Sequence, residues 1–295
     1  MKNTNGEENP EIKYLNEDIY DSYGRLLLAK GMPLTANIVE TLSNRKLTPT
    51  RAANAQIKAR SGKHFDLTLE KHFEALHKYV NFIEENSQIK SPYIQFGTQL
   101  TEIALKNLIR HDSLMSTLLS SLHSHMPSVY AHTIRVTFLS AMIAAEYGQL
   151  EANLNDIVTS ALFHDIGRLM VPSFINTGNK IATEDLQIVK QHAPIGSYFL
   201  ANVGFPECVC KTALQHHESY NGGGYPLAIA GPDIHLYAQI VRVADVFDAL
   251  TSLQAYRNPE GLQKATEIIL QRKNADFNFN IVDSFSHMTN NTLNV

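Results

Sequence analysis

The chain has 295 residues, 44% of them hydrophobic and 18% charged, with a formal net charge of −4. This composition fits one large folded domain, or a medium domain plus a small one, and excludes a disordered chain. The acidic balance leaves no basic footprint for DNA or an anionic membrane; no apolar run is long enough to span a bilayer; and MKNTNGEENPEIKY lacks the apolar core of a signal peptide, so a cytoplasmic protein is expected.

Residues 1 to about 12 are polar, contain Pro10, and read as a flexible tail. Asp21, Ser22 and Gly24 then carry turn chemistry ahead of Arg25-Leu26-Leu27-Leu28. Gly31 precedes Pro33-Leu34-Thr35, where Thr35 can cap a helix presenting Ile38 and Leu42 on one face. The pattern predicts a small α/β module suited to binding, docking or dimerisation. Apolar residues at 65, 69, 73, 76, 80 and 83 follow in steps of three and four, which marks an amphipathic connector or dimer helix. Grouped together, residues 1–90 form the N-terminal module.

Ser91-Pro92 reads as a break, and residues 91–295 read as an all-helical domain. Helices are predicted at about 97–109, 113–122, 129–147, 154–165, 183–201, 206–217, 237–252 and 260–272. Cys208 and Cys210 are too close for an unstrained disulfide and too few for a thiolate metal site, so they read as reduced bystanders.

Metal-ligand side chains recur through this helical part. They are His132, the pair His164-Asp165, His192, the pair His216-His217, and Asp245 inside AQIVRVADVFDALTS. A single histidine on a helix is usually a surface residue or a hydrogen-bonded core residue. Asp245 is harder to explain that way, because a carboxylate in apolar surroundings needs a partner or a cation. Taken together, five imidazoles and two carboxylates make a ligand set for two divalent ions. Imidazole suits iron, zinc, manganese or nickel better than magnesium. Gly167 closes His164-Asp165-Ile166-Gly167, where a left-handed helix cap is expected. Asn221-Gly222-Gly223-Gly224-Tyr225-Pro226 reads as a loop able to approach a ligand closely and lay one aromatic ring over it.

His132, His164-Asp165-Ile166-Gly167, His192, His216-His217-Glu218, Gly224-Tyr225-Pro226 and the segment 243–252 resemble, in order and spacing, the motifs of the HD-GYP family, a branch of the HD phosphohydrolases. The resemblance covers about residues 105–290, and residues 18–34 resemble a module found ahead of some members. It implies metal-dependent hydrolysis of the bacterial second messenger cyclic di-GMP, to the linear dinucleotide or GMP. It also implies two divalent cations per chain, iron first and manganese second. His132, His164, Asp165 and Asp245 would hold one ion. Asp165 would bridge to the other, held by His192, His216 and His217.

Further implied roles are phosphate contact for Arg168, where the family usually has Lys, and a catalytic part for Asp165 and Arg168. Tyr225, Gly224, Arg257 and Asn221 would bind substrate. Protein partners such as diguanylate cyclases, and a homodimer through the 65–83 helix, complete the implied interactions. Three positions depart from the family pattern. Ser128 stands where some members have a glutamate completing a third metal site, so two ions are expected. Asn221 replaces an aspartate, and Gln254 replaces a basic residue. Losing a charge-assisted hydrogen bond to phosphate costs about 1.5–3 kcal/mol, so a weakly active or inactive member that senses nucleotide or scaffolds proteins is the alternative reading.

Overall fold

The computed structural model describes residues 69–111, 113–148, 154–171, 183–252 and 259–289, plus four short N-terminal strands. The strands are β1 (Lys13–Tyr14), β2 (Ile19–Tyr20), β3 (Leu26–Leu28) and β4 (Pro33–Leu34). β2 and β3 pair antiparallel, with Ile19 opposite Leu28, and β1 pairs antiparallel with β4, with Lys13 opposite Leu34. The pair β2–β3 is thus enclosed in sequence by the pair β1–β4, and the turn expected around Asp21–Gly24 lies outside the described residues. The polar tail and the helix expected after Thr35 lie outside the described residues.

The helices form a second compact unit. They are α1 (Leu69–Asn86), α2 (Ser91–His111), α3 (Ser113–His125), α4 (Pro127–Glu146), α5 (Leu154–Phe163), α6 (Thr183–Lys190), α7 (His192–Asn202), α8 (Glu207–Gln215), α9 (Leu236–Thr251), α10 (Leu262–Gln271) and α11 (Phe279–Thr289). A 3₁₀ turn, Ile166–Met170, follows α5. α4 lies at the centre. From Ile134 to Ala144 all its residues but Arg135 are buried, so it is enclosed by neighbours on nearly every side. No helix among the described residues is long and apolar enough to cross a membrane.

Five local features differ from the sequence reading. α1, grouped on sequence with the N-terminal module, packs into the helical unit, with Leu76 and Ile83 fully buried. α2 begins at Ser91, because Pro92 sits in the first turn, where no N–H is needed. The expected 183–201 helix divides at Gln191, since Pro194 has no N–H to offer the carbonyl of Lys190. α11 was not anticipated; it buries Ile281, Val282, Phe285 and Met288.

Gly167 is the fifth. It adopts no left-handed conformation and sits instead in the 3₁₀ turn. A Cβ there would lie 2.0 Å from the carbonyl oxygen of His192 and 2.8 Å from the backbone nitrogen of Gly196. The glycine is required because two backbones meet at that point, and their contact fixes the distance between Asp165 and His192.

Candidate metal centre

The seven expected ligands come from five places in the chain, and the fold brings them to one spot. His132 is on α4, and His164 and Asp165 follow α5. His192 opens α7, His216 and His217 follow α8, and Asp245 is on α9. Donor atoms of Asp165, His192, His216 and His217 lie within 4.8 Å of one another, and so do those of His132, His164 and Asp165. Asp165 belongs to both groups through different oxygens. Its Oδ1 is 3.1 Å from His192 Nε2 and 3.8 Å from His216 Nε2; its Oδ2 is 4.0 Å from both His132 Nε2 and His164 Nε2. Asp245 reaches across, with Oδ1 3.2 Å from His132 Nε2 and Oδ2 3.9 Å from His217 Nδ1.

The ring nitrogens facing away from the centre decide what the inward ones can do. His164 Nδ1 lies 2.7 Å from the carbonyl of Ala161, His192 Nδ1 2.6 Å from that of Val189, and His216 Nδ1 2.9 Å from that of Ala213. A carbonyl only accepts, so each Nδ1 carries the proton and each Nε2 is a bare lone pair. Those lone pairs converge. His192 Nε2 is 3.2 Å from His216 Nε2 and 3.1 Å from His217 Nε2, and the buried His164 Nε2 has no hydrogen-bond partner. Neutral imidazoles facing each other with unpartnered lone pairs are unfavourable without a cation among them. The residues therefore fit a metal, and five imidazoles with two carboxylates suit a transition ion.

Burial holds His192 at about 4 and His216 at about 3, neighbouring histidines adding to the effect, and it drives His164 and His217 down as well. Burial opposes ionisation of Asp165, yet Arg168 and His192 hold its carboxyl well below the usual range. His132 behaves differently. Burial works against its charged form, but hydrogen bonds to Asp245 and Asp248 raise it to about 10. The same His132 contact holds Asp245 at about 2 against the pull of burial.

Sequence reasoning assigned no role to Asp248 or Arg135. Asp248 Oδ2 is 2.7 Å from His132 Nδ1, and Arg135 grips the same carboxylate through Nε at 2.5 Å and Nη2 at 2.9 Å. Asp248 is fully buried one turn after Asp245 in the same apolar run, so the argument applied to Asp245 would have found it.

Around the rim, Arg168 is half-buried, with Nε 3.4 Å from Asp165 Oδ1. The Tyr225 ring stacks on His217, centroids 4.7 Å apart, and Lys190 Nζ lies 4.8 Å above the same tyrosine. Gly224 serves the loop itself, since a Cβ there would come within 2.3 Å of the Ser219 nitrogen. Asn221 Oδ1 accepts from the N–H of Gly223 at 2.9 Å, and Ser128 is exposed in the first turn of α4. Arg257 and Gln254 lie outside the described residues.

The helical unit carries a buried histidine–aspartate centre gathered from five helix ends and faces. A family model described as "HD domain" matches residues 116–280, more than half of the chain, and the chain belongs to that family. Its Gly224-Tyr225-Pro226 motif matches the HD-GYP branch. A cyclic di-GMP phosphodiesterase of Thermotoga maritima is 36% identical over 159 residues, 53% of this chain and 43% of that protein. A 3'3'-cGAMP-specific phosphodiesterase 2 of Vibrio cholerae is 26% identical over 215 residues, 70% of this chain and 41% of that protein. The chain thus spans about two fifths of the length of these relatives. The solved structure of an HDG"Y"P protein from Bdellovibrio bacteriovorus matches with a TM-score of 0.50 at 16% identity, over 94% of this chain and 95% of that one, a likeness of fold alone.

Proposed function

We propose that this protein hydrolyses the phosphodiester bond of a cyclic dinucleotide, cyclic di-GMP first among them, at a centre of two divalent cations. One observation carries this reading: the two oxygens of Asp165 face separate sets of imidazole nitrogens. A shared carboxylate between two donor sets is the arrangement that holds a pair of ions. His132, His164, Asp165 and Asp245 would hold one, and Asp165, His192, His216 and His217 the other, with iron the first candidate and manganese the second. Two such ions supply Lewis acidity at the phosphate and an acidified water as nucleophile.

The chain's own residues supply the rest. Imidazoles fixed in one tautomer by backbone carbonyls three residues earlier need no reorganisation to bind a cation. The Arg168 guanidinium holds Asp165 ionised and stands at the rim, able to donate to a phosphate oxygen. Tyr225, backed by His217, offers a flat face to a base, with Gly224 and Asn221 of the same loop, and Arg257, as further substrate contacts. The reaction adds water across a P–O bond, giving the linear dinucleotide and, after a second cleavage, GMP. The relatives named for cyclic di-GMP and for 3'3'-cGAMP support the substrate class. A cytoplasmic location, protein partners such as diguanylate cyclases, and a homodimer are parts of the same reading.

The Asn221 contact favours a second reading. With its oxygen turned onto the loop's own Gly223 N–H, the loop offers an amide where the family pattern has a carboxylate, which suits a protein that binds nucleotide and turns it over slowly. One experiment separates the two. Elemental analysis of anaerobically purified protein is combined with turnover of cyclic di-GMP and 3'3'-cGAMP on the same sample. About two ions per chain with turnover supports the enzyme; two ions and binding without turnover supports the sensor; absence of metal overturns both.

A further inference from the structure

α1 does more than follow the N-terminal module in sequence. His72, Leu76, Tyr79 and Ile83 line one buried face of this helix at spacings of four, three and four. His72 Nδ1 lies 2.6 Å from the hydroxyl of Tyr130, two residues ahead of His132 on α4. Two turns further along α1, the ring of Tyr79 lies under the guanidinium of Arg135, with Cζ 5.8 Å from the ring centroid. Arg135 holds Asp248, and Asp248 holds His132 Nδ1. The face of α1 therefore grips α4 on both sides of His132.

Resting on the two-cation reading above, we infer that Tyr79 is a positioning residue for the metal centre, acting through Arg135 and Asp248 to set the orientation and donor strength of His132. An arginine bound to a carboxylate on one side is still free to swing about that contact. A flat ring under its face removes that freedom, and the attraction is worth most where water is excluded. Tyr79 is 7% exposed, and its hydroxyl, which lies near Thr251, makes no hydrogen bond of good geometry among the described residues. The ring is thus the part that acts, and α1 becomes the element through which a change upstream in the chain would reach one half of the centre and spare the other.

The test uses the full chain stripped of metal and titrated with Mn²⁺, followed by electron paramagnetic resonance, with thermal melting alongside. Tyr79→Leu keeps the bulk and loses the ring's charge distribution. It should weaken one of the two bound ions on the order of tenfold while the other keeps its affinity. Tyr79→Phe keeps the ring and should match the wild type within about twofold. Arg135→Lys, which keeps the charge without the planar fork, should reproduce the Tyr79→Leu defect. Equal affinities in Tyr79→Leu and wild type would overturn the inference, as would a loss shared by both ions and by Tyr79→Phe, which would mark Tyr79 as core packing. If the wild type itself bound no Mn²⁺, the two-cation reading would fail first and this inference with it. Cyclic dinucleotide turnover enters none of these outcomes.

Discussion

His132 and His192 both aim Nε2 at Asp165, yet the outward nitrogen of each is held by a different kind of partner. His192, like His164 and His216, gives its Nδ1 proton to the backbone carbonyl three residues before it. A carbonyl is neutral, so burial decides the outcome and these rings stay uncharged. His132 gives its Nδ1 to the carboxylate of Asp248 and faces Asp245 with Nε2, and without a cation it carries the charge itself. One half of the centre is a set of neutral donors waiting for a positive charge. The other is an ion-pair network complete without one. The neutral half should therefore take up its ion readily, while the charged half must first lose the proton of His132. The two ions should bind with different affinities and different pH dependence.

The largest effect should come from removing what both halves share. Asp165→Ala takes away the two oxygens that face the two donor sets. Metal content should drop below one ion per chain, and turnover should fall at least about a hundredfold, beyond what loss of an outer hydrogen-bond partner costs. Wild-type metal content in this variant would refute the idea of a shared ligand. Gly167→Ala should come next. The added methyl meets the backbone of His192 rather than a pliable side chain, so the segment carrying Asp165 must move away from α7. A loss of about 1–3 kcal/mol is expected in urea unfolding, with weakened metal binding in the His192 half.

These two sites also show how far the sequence could be read. The ligands were legible because His and Asp at five places have few shared explanations, and Asp245 stands out within its apolar run. Gly167 was legible as a special position but not for its reason. A glycine after a helix looks like a cap, and its collision partner lies 25 residues away on another helix. Tyr79 was invisible, since an aromatic on an amphipathic stripe reads as ordinary core. The helices followed from their periodicity except at α11, which was not anticipated, and where proline acted. Pro92 is harmless at a first turn, whereas Pro194 divides a helix by the bond it cannot make.

Asp248→Asn tests the charged half by itself. The amide can still fill the space, but it no longer offers a charge to His132 or a paired acceptor to Arg135. Affinity for one ion should fall about 10- to 100-fold with the other unchanged. Stability should drop by about 1–3 kcal/mol, the cost of leaving a partly buried guanidinium without its charged acceptor. A titration in which both ions weaken equally would remove the distinction between the halves.

His72 offers the smallest and most specific test, because it is a buried histidine with a phenol for a partner and no carboxylate in contact. If carboxylates are what keep His132 charged, His72 should behave like the neutral half, and burial does hold it at about 4 against an ordinary 6.5. The sign follows from proton uptake. Between those two values the unfolded chain binds a proton at this residue and the folded chain does not, so stability rises with pH there. The contribution is fully present above about pH 6.5 and is lost as pH falls through 4, amounting to roughly 3 kcal/mol at 1.36 kcal/mol per pH unit. In urea unfolding at a series of pH values, His72→Phe should destabilise less steeply than the wild type across this window, and the difference should vanish above pH 7. Parallel curves would mean that His72 is protonated in the folded state, so that burial without a carboxylate would no longer account for the neutral half of the centre.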